Sequence, residues 1–252
     1  NNIWFASGSI YHWDGNETRL EWLRDIGTGE TVEKIWASSQ SNIFFVGNEG
    51  TIVHYDGVNF EYMESGTDIK LTDIWGVEDQ ESGEIRVWAC GYSSNDGSSV
   101  ILAYYENQWY TIYERYSGGG NSLSDETVYS PMAGTLWAWE DSDLLWFGGG
   151  FGMFALDSAL SPSSYEEINI YQEAGYFAYP WRVRGNTPND LFIVGEYGSV
   201  FHYNGINWKW YEDLYQDQSR FRSIAIQSDF AVIVGIDYAP FLDKAYVVRG
   251  YR

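Results

Sequence analysis

The chain has 252 residues, long enough for one well-buried domain, and it reads as a single domain over residues 1–252. Its 36 acidic against 14 basic residues give a formal charge of −22, which repels phosphates and so excludes nucleic acid and anionic membrane surfaces as partners. With 13 Trp, 21 Tyr, 13 Phe and 27 Gly, the composition favours pleated strands joined by tight turns, an all-β protein.

No apolar run approaches the roughly 20 residues of a membrane-spanning helix, so no transmembrane segment is expected. The one cysteine, Cys90, sits in Val87-Trp88-Ala89-Cys90-Gly91 and reads as a small buried hydrophobe.

Taken in chain order, the elements repeat. Ile3-Trp4-Phe5-Ala6 leads through Gly8 to Ser9-Ile10-Tyr11-His12-Trp13 and an Asp14-Gly15 turn. A short apolar strand, Ile35-Trp36-Ala37, precedes the clearest copy. That copy runs from Asn42 through Val46-Gly47-Asn48-Glu49-Gly50 to His54-Tyr55-Asp56-Gly57-Val58-Asn59-Phe60. Asp73-Ile74-Trp75-Gly76, then Val87 to Gly91, then Val100-Ile101-Leu102-Ala103-Tyr104-Tyr105 form a third. Leu136-Trp137-Ala138, Leu145-Trp146-Phe147-Gly148 and Gly152-Met153-Phe154-Ala155-Leu156-Asp157 form a fourth. The fifth, after Pro180-Trp181-Arg182-Val183, matches the second without a gap. It runs from Asp190 through Val194-Gly195-Glu196-Tyr197-Gly198 to His202-Tyr203-Asn204-Gly205-Ile206-Asn207-Trp208. Ser223-Ile224-Ala225, Val232-Ile233-Val234-Gly235 and Ala245-Tyr246-Val247-Val248-Arg249 make the sixth.

Each copy predicts an inner strand A, two apolar strands B and C joined by a Gly turn, and an Asp/Asn-Gly hairpin turn into an aromatic strand D. Four antiparallel strands every ~40–50 residues mark propeller blades. The prediction is a six-bladed β-propeller of four-stranded antiparallel blades, with incomplete first and last blades. The first lacks strand A and the last lacks strand D. One upstream segment is expected to supply both missing strands, with assembly through the open blade edges as the alternative.

The pattern Val-Gly-x-x-Gly-x-Ile/Val-x-His-Tyr-Asp/Asn-Gly-x-x-Trp/Phe, carried by residues 46–60 and 194–208, resembles repeats of secreted bacterial β-propellers, many of them lipoproteins or surface proteins. That resemblance implies an extracellular or cell-surface location. The Asp-Gly turn is also similar in position to the Asp-box of sialidase-type propellers. Asp14-Gly15 and Asp56-Gly57 are adjacent, however, where the Asp-box has an intervening residue.

Residues copied from blade to blade read as architecture. His12, His54 and His202 share one repeat position and are expected to make local hydrogen bonds rather than a metal or catalytic centre. Asp14, Asp56 and Asn204 are expected to cap the C–D turn, and Asn42, Asp143, Asp190 and Asp229 the A–B turn.

Function is therefore sought where the copies differ, in the B–C loops and the D–A insertion from Tyr116 to Tyr129. The candidate ligand-binding residues are Glu49, Tyr92, Asp96, Phe151, Glu196, Tyr197, Asp237, Tyr238 and Phe241, a mixture of carboxylates and rings that suits a glycan or a protein. Glu49 and Glu196 read as equivalent loop positions facing each other across a channel, the carboxylate pair a glycosidase needs. The ten arginines look scattered, without the cluster that sialidase chemistry requires. No cofactor is expected. Asn95-Asp96-Gly97 and Glu140-Asp141-Ser142-Asp143 lack the alternation of an EF-hand loop and suit at most a weak structural calcium. The preferred reading is a non-catalytic module binding a glycan or protein through its B–C/D–A loop face. A glycoside-active enzyme and a structural subunit of an extracellular assembly are the alternatives.

Overall fold

The computed structural model describes residues 2–22, 30–79, 81–118, 120–123, 132–150, 152–239 and 242–251, and divides into two compact units, Asn1–Ala133 and Gly134–Arg252. The first unit opens with a three-stranded sheet of β1 (Ile3–Ser7), β2 (Ser9–Trp13) and β3 (Thr18–Trp22). A four-stranded sheet follows, of β4 (Val32–Ser39), β5 (Asn42–Gly47), β6 (Ile52–Tyr55) and β7 (Phe60–Tyr62). The unit's third sheet is β8 (Leu71–Glu78), β9 (Ile85–Tyr92), β10 (Ser99–Tyr105) and β11 (Gln108–Arg115).

The second unit begins with β12 (Thr135–Ala138), β13 (Leu145–Gly149), β14 (Gly152–Leu156) and β15 (Tyr165–Ile168). A short helix α1 (Ile170–Ala174) then leads to β16 (Pro180–Thr187), β17 (Asp190–Gly195), β18 (Val200–Tyr203) and β19 (Trp208–Trp210). The last sheet is β20 (Ser219–Gln227), β21 (Phe230–Ala239) and β22 (Leu242–Tyr251). Every sheet is an antiparallel meander. Together they are the blades of a six-bladed β-propeller whose first and last blades have three strands, and every predicted inner strand falls in its place.

Both faces of the middle strands are apolar because each face has a neighbour. In the first unit, Ile43, Phe45 and Val53 turn towards Ile10, Trp4 and Trp22 of the first sheet. Phe44, Val46 and Ile52 turn the opposite way, onto Ile74, Val87, Ala89 and Leu102 of the third. Side chains alternate along a strand, so a strand covered on both faces reads as an unbroken apolar run. The second unit does the same with Phe192, Val194 and Val200 against Phe221, Ile224 and Ile233.

The repeated histidines brace three of the six sheets. His54 Nε2 lies 2.7 Å from Asn42 Oδ1, His202 Nε2 2.8 Å from Asp190 Oδ1, and His12 Nε2 3.2 Å from Asn2 Oδ1. Each imidazole also lies on the aromatic ring opposite it in the ladder, with centroids 4.5 Å apart for Phe44, 4.1 Å for Phe192 and 4.4 Å for Trp4. Asn42 and Asp190 tie their own A–B turns through Ser38 and Asn186, as anticipated, and in addition reach across to the histidine of strand C.

The C–D turns are held by one acceptor at a fixed place. Asp56 Oδ1 accepts the amides of Val58 and Asn59 at 2.8 and 2.7 Å, and Asp14 does the same for Asn16 and Glu17. The backbone donors, Asn59 first, hold the Asp56 carboxyl below its ordinary value of 3.8. A carboxyl with a lowered folded value contributes stability above its unfolded value and loses it as pH falls through the folded one. Asn204 makes the same two bonds with an amide oxygen, which does not titrate in this range. Asp56→Asn is therefore expected to keep the turn and to flatten the acid limb of the stability curve below pH 3.8. Denaturant unfolding at a series of acid pH values checks this; an unchanged slope would show that the Asp56 charge is not what acid removes.

Candidate functional site

Three of the predicted residues meet in the first unit. Glu49, Tyr92 and Asp96 line a hollow of ≈ 380 Å³ together with Asp68 and Lys70. Glu49 and Asp68 also border an open cleft of ≈ 960 Å³ with Glu30, Glu64, Glu114 and Tyr62. Asp96 spends its carboxylate locally: the Ser98 hydroxyl, and then the Ser98 amide, donate to it and bring its pKa down to about 2.

The turn containing Glu49 has a defined backbone. Glu49 has φ 52° and Gly50 φ 64°, and in the second unit Tyr197 has φ 57° and Gly198 φ 62°. Counted from these left-handed pairs, Glu49 corresponds to Tyr197, and Asn48 to Glu196. The two glutamates do not occupy equivalent positions, which corrects the expected symmetric carboxylate pair.

Glu196, Tyr197 and Tyr238 come together in the second unit, in a cleft of ≈ 600 Å³ shared with Phe177, Tyr179 and Arg220. A single backbone bridge joins Glu196, just past the end of β17, to Arg220 of β20. Trp181 Nε1 donates to Glu196 Oε1 at 3.0 Å, and Arg220 Nε to Oε2 at 2.7 Å. Arg220 Nη1 and Arg222 Nη2 donate to the Tyr238 hydroxyl at 3.4 and 2.9 Å. The Arg222 guanidinium lies 4.1 Å over the Trp181 ring, and that of Arg220 4.8 Å over Tyr238. The bond from Arg222 first, and more weakly that from Arg220, lowers the Tyr238 pKa from its usual 10.0 against an opposing effect of burial. Tyr215 flanks the cleft 6.4 Å from Tyr197, and its hydroxyl, donating to Asp217, is pushed up to about 12.

Asp237 and Tyr238 were expected in a long loop. They lie instead in β21, because the β21–β22 hairpin stays paired as far as Ala239 and Leu242. Strand alternation then separates them: Tyr238 faces the cleft, and Asp237 accepts from the Tyr246 hydroxyl at 3.4 Å. Phe151, Phe241 and residues 124–131 of the D–A insertion lie outside the described residues. Trp181, Arg220 and Arg222 were not singled out from the sequence. The available signal was two arginines spaced by one residue in an inner strand, Arg220-Phe221-Arg222, in a chain with few cations.

Among the described residues, no three His, Cys, Asp or Glu side chains are grouped so as to hold a metal ion, and no helix is long and apolar enough to cross a membrane. No family model matches the chain. The uncharacterized protein 261R of Invertebrate iridescent virus 6 is 23% identical over 117 residues, which is 45% of this chain and only 8% of that protein's length. Among solved structures, YCF48 bound to a D1 peptide matches with a TM-score of 0.67 at 17% identity, over 99% of this chain and 75% of that one. The fold is that of a β-propeller. YCF48 from Cyanidioschyzon merolae matches with a TM-score of 0.62 at 11% identity, over 96% and 74% of the two chains. At such identities the likeness is one of fold.

Proposed function

We propose that this chain is a non-catalytic binding propeller, and that the Glu196–Tyr238 cleft of its second unit takes an extended segment of a partner protein. The observation that carries this reading is the linked set Trp181–Glu196–Arg220–Tyr238–Arg222 beside aromatic walls. Tyr, Trp and Arg dominate the energetics of protein recognition, and hydrogen bonds already made leave less side-chain freedom to lose on binding. The likeness to YCF48, solved with a D1 peptide bound, supports a peptide as the ligand class. An exposed ring at Tyr197 favours a glycan as the second reading. A glycosidase has less support, because Glu196 is engaged by Trp181 and Arg220 and its expected partner Glu49 occupies a different turn position. The extracellular or cell-surface setting is part of the proposal and rests on the repeat resemblance.

Selection from a phage-displayed random-peptide library tests the reading. The expected result is a set of enriched peptides whose affinity drops about tenfold or more in Tyr197→Ala and in Arg222→Ala. A library without enriched peptides, or enrichment indifferent to both substitutions, overturns it. Binding confined to a glycan array moves the function to sugar recognition.

A further inference from the structure

We propose that the larger cleft of the first unit binds an organic cation carrying two or more separated ammonium or guanidinium groups. This is a second binding site, and it does not rest on the reading of the Glu196–Tyr238 cleft. Three observations carry it.

The first is charge without compensation. Glu49, Glu64, Asp68 and Glu114 line this cleft of ≈ 960 Å³, and among the described residues none of the four carboxylates is paired with a cation. The arginine on its wall, Arg115, directs Nη1 to the carbonyl of Gly97. Lys70, in the adjoining hollow, is taken by Glu33 at 2.7 Å. Like charges gathered round a concave wall focus the potential and concentrate ligands of the opposite sign.

The second is a buried hydroxyl with nothing to bond. Thr51 lines the same cleft, is 5% exposed, and its Oγ1 has no hydrogen-bond partner among the described residues. A buried hydroxyl left unpaired costs free energy. In the third sheet Ser99 holds the corresponding place, one residue before Val100, and accepts the amide of Ala133 at 3.3 Å. That place in the repeat thus suits an N–H donor, and a cationic ligand would bring one to Thr51.

The third is the way the cleft is spread. Among the described residues no three His, Cys, Asp or Glu side chains converge as a metal ion requires. The acids are distributed along an open wall, with Tyr62 and Tyr116 beside them, 51% and 49% exposed. A tyrosine face attracts a cation, and the ring also covers the aliphatic stem that carries one. A site of this size suits a ligand with several donors on a flexible stem. A polyamine and a basic segment of a protein share that chemistry.

Calorimetric titration of the whole chain with spermidine, and separately with the peptide Ac-Arg-Gly-Arg-NH2, tests the proposal. Binding of either is expected, and the tighter of the two names the source. The double variant Glu49→Gln, Asp68→Asn should weaken it about fivefold. Glu166→Gln with Glu167→Gln, an equal loss of charge in β15, should not. Thr51→Val should bind about fivefold more weakly while melting no lower than the parent, and Thr51→Ser should keep the parent's affinity. Ser199→Ala removes the corresponding hydroxyl of the fifth sheet, which is also unpartnered but does not line this cleft, and should change nothing in binding. No heat from either ligand overturns the proposal. So does equal weakening by the two charge variants, which would mean diffuse attraction to an acidic surface, and so does a Thr51→Val protein that binds as the parent does.

Discussion

Gly47→Ala is expected to lower stability by about 3 kcal/mol, with a fall in Tm of roughly 6–12 °C. Gly47 ends strand β5 in an extended conformation, so its backbone needs no special angle. What it needs is space, since a Cβ there would lie 1.6 Å from the carbonyl oxygen of Thr31. That carbonyl accepts the amide of Asn48 at 3.0 Å, and the β4–β5 ladder shifts register between Val32 and Lys34 at this point. Strand A therefore bulges over the glycine, and a methyl group must push backbone, not a side-chain tip, out of place. The arrangement recurs: a Cβ on Gly91 would meet Lys70 O at 1.9 Å, on Gly195 Tyr179 O at 2.1 Å, and on Gly235 Arg220 O at 2.2 Å. Gly250→Ala is the control, because nothing lies within 4 Å of its Cβ position, and it should melt within about 0.5 kcal/mol of the parent. If Gly47→Ala melts with the parent as well, strand A is free to withdraw and the repeated glycine has no steric role.

The same residue shows where sequence reading succeeds and where it stops. The Val-Gly-x-x-Gly spacing locates the blades because it comes from a recurring contact, and strands B and C stand out because both of their faces are covered. Gly50 and Gly198 serve in turns, as their positive φ confirms. Gly47 and Gly195 look alike in sequence but admit a backbone carbonyl, and a missing side chain does not announce what fills its space. The site divides along the same line. Glu196, Tyr197 and Tyr238 were singled out as variable loop residues, although Tyr238 lies in β21, whereas Arg220 and Arg222 lie in an inner strand that pattern alone assigns to architecture. Their partners are remote, Glu196 24 residues from Arg220 and Tyr238 16 residues from Arg222, so only the pairing of β20 with β21 and the packing of the fifth sheet against the sixth reveal them. Glu49 and Glu196 were matched by residue type; counting from the following glycine separates them by one position.

Phe44→Ala is expected to have the second large effect, about 3–5 kcal/mol of destabilisation. Phe44 is fully buried and touches Tyr104 at 5.2 Å, Trp36 at 6.1 Å and Trp109 at 6.2 Å between ring centroids, so its loss opens a cavity between two sheets. The same ring covers His54 at 4.5 Å. Burial holds the His54 pKa below its ordinary 6.5, outweighing the opposite pull of Asp56 and Glu61. Because the folded value is the lower one, the unfolded chain binds the proton more readily between the two. Stability therefore falls as pH drops below 6.5 and levels off once the folded value is passed. Removing Phe44 lets water reach the imidazole and brings its folded pKa back towards 6.5. Phe44→Ala should thus be less stable at every pH and yet lose less between neutral pH and about pH 5 than the parent does. His54→Gln, which cannot titrate, isolates the histidine's share. Denaturant unfolding of the three proteins across that range separates the two roles of the ring. If Phe44→Ala keeps the parent's slope, the covering that holds His54 neutral comes from the strands themselves and the ring only packs.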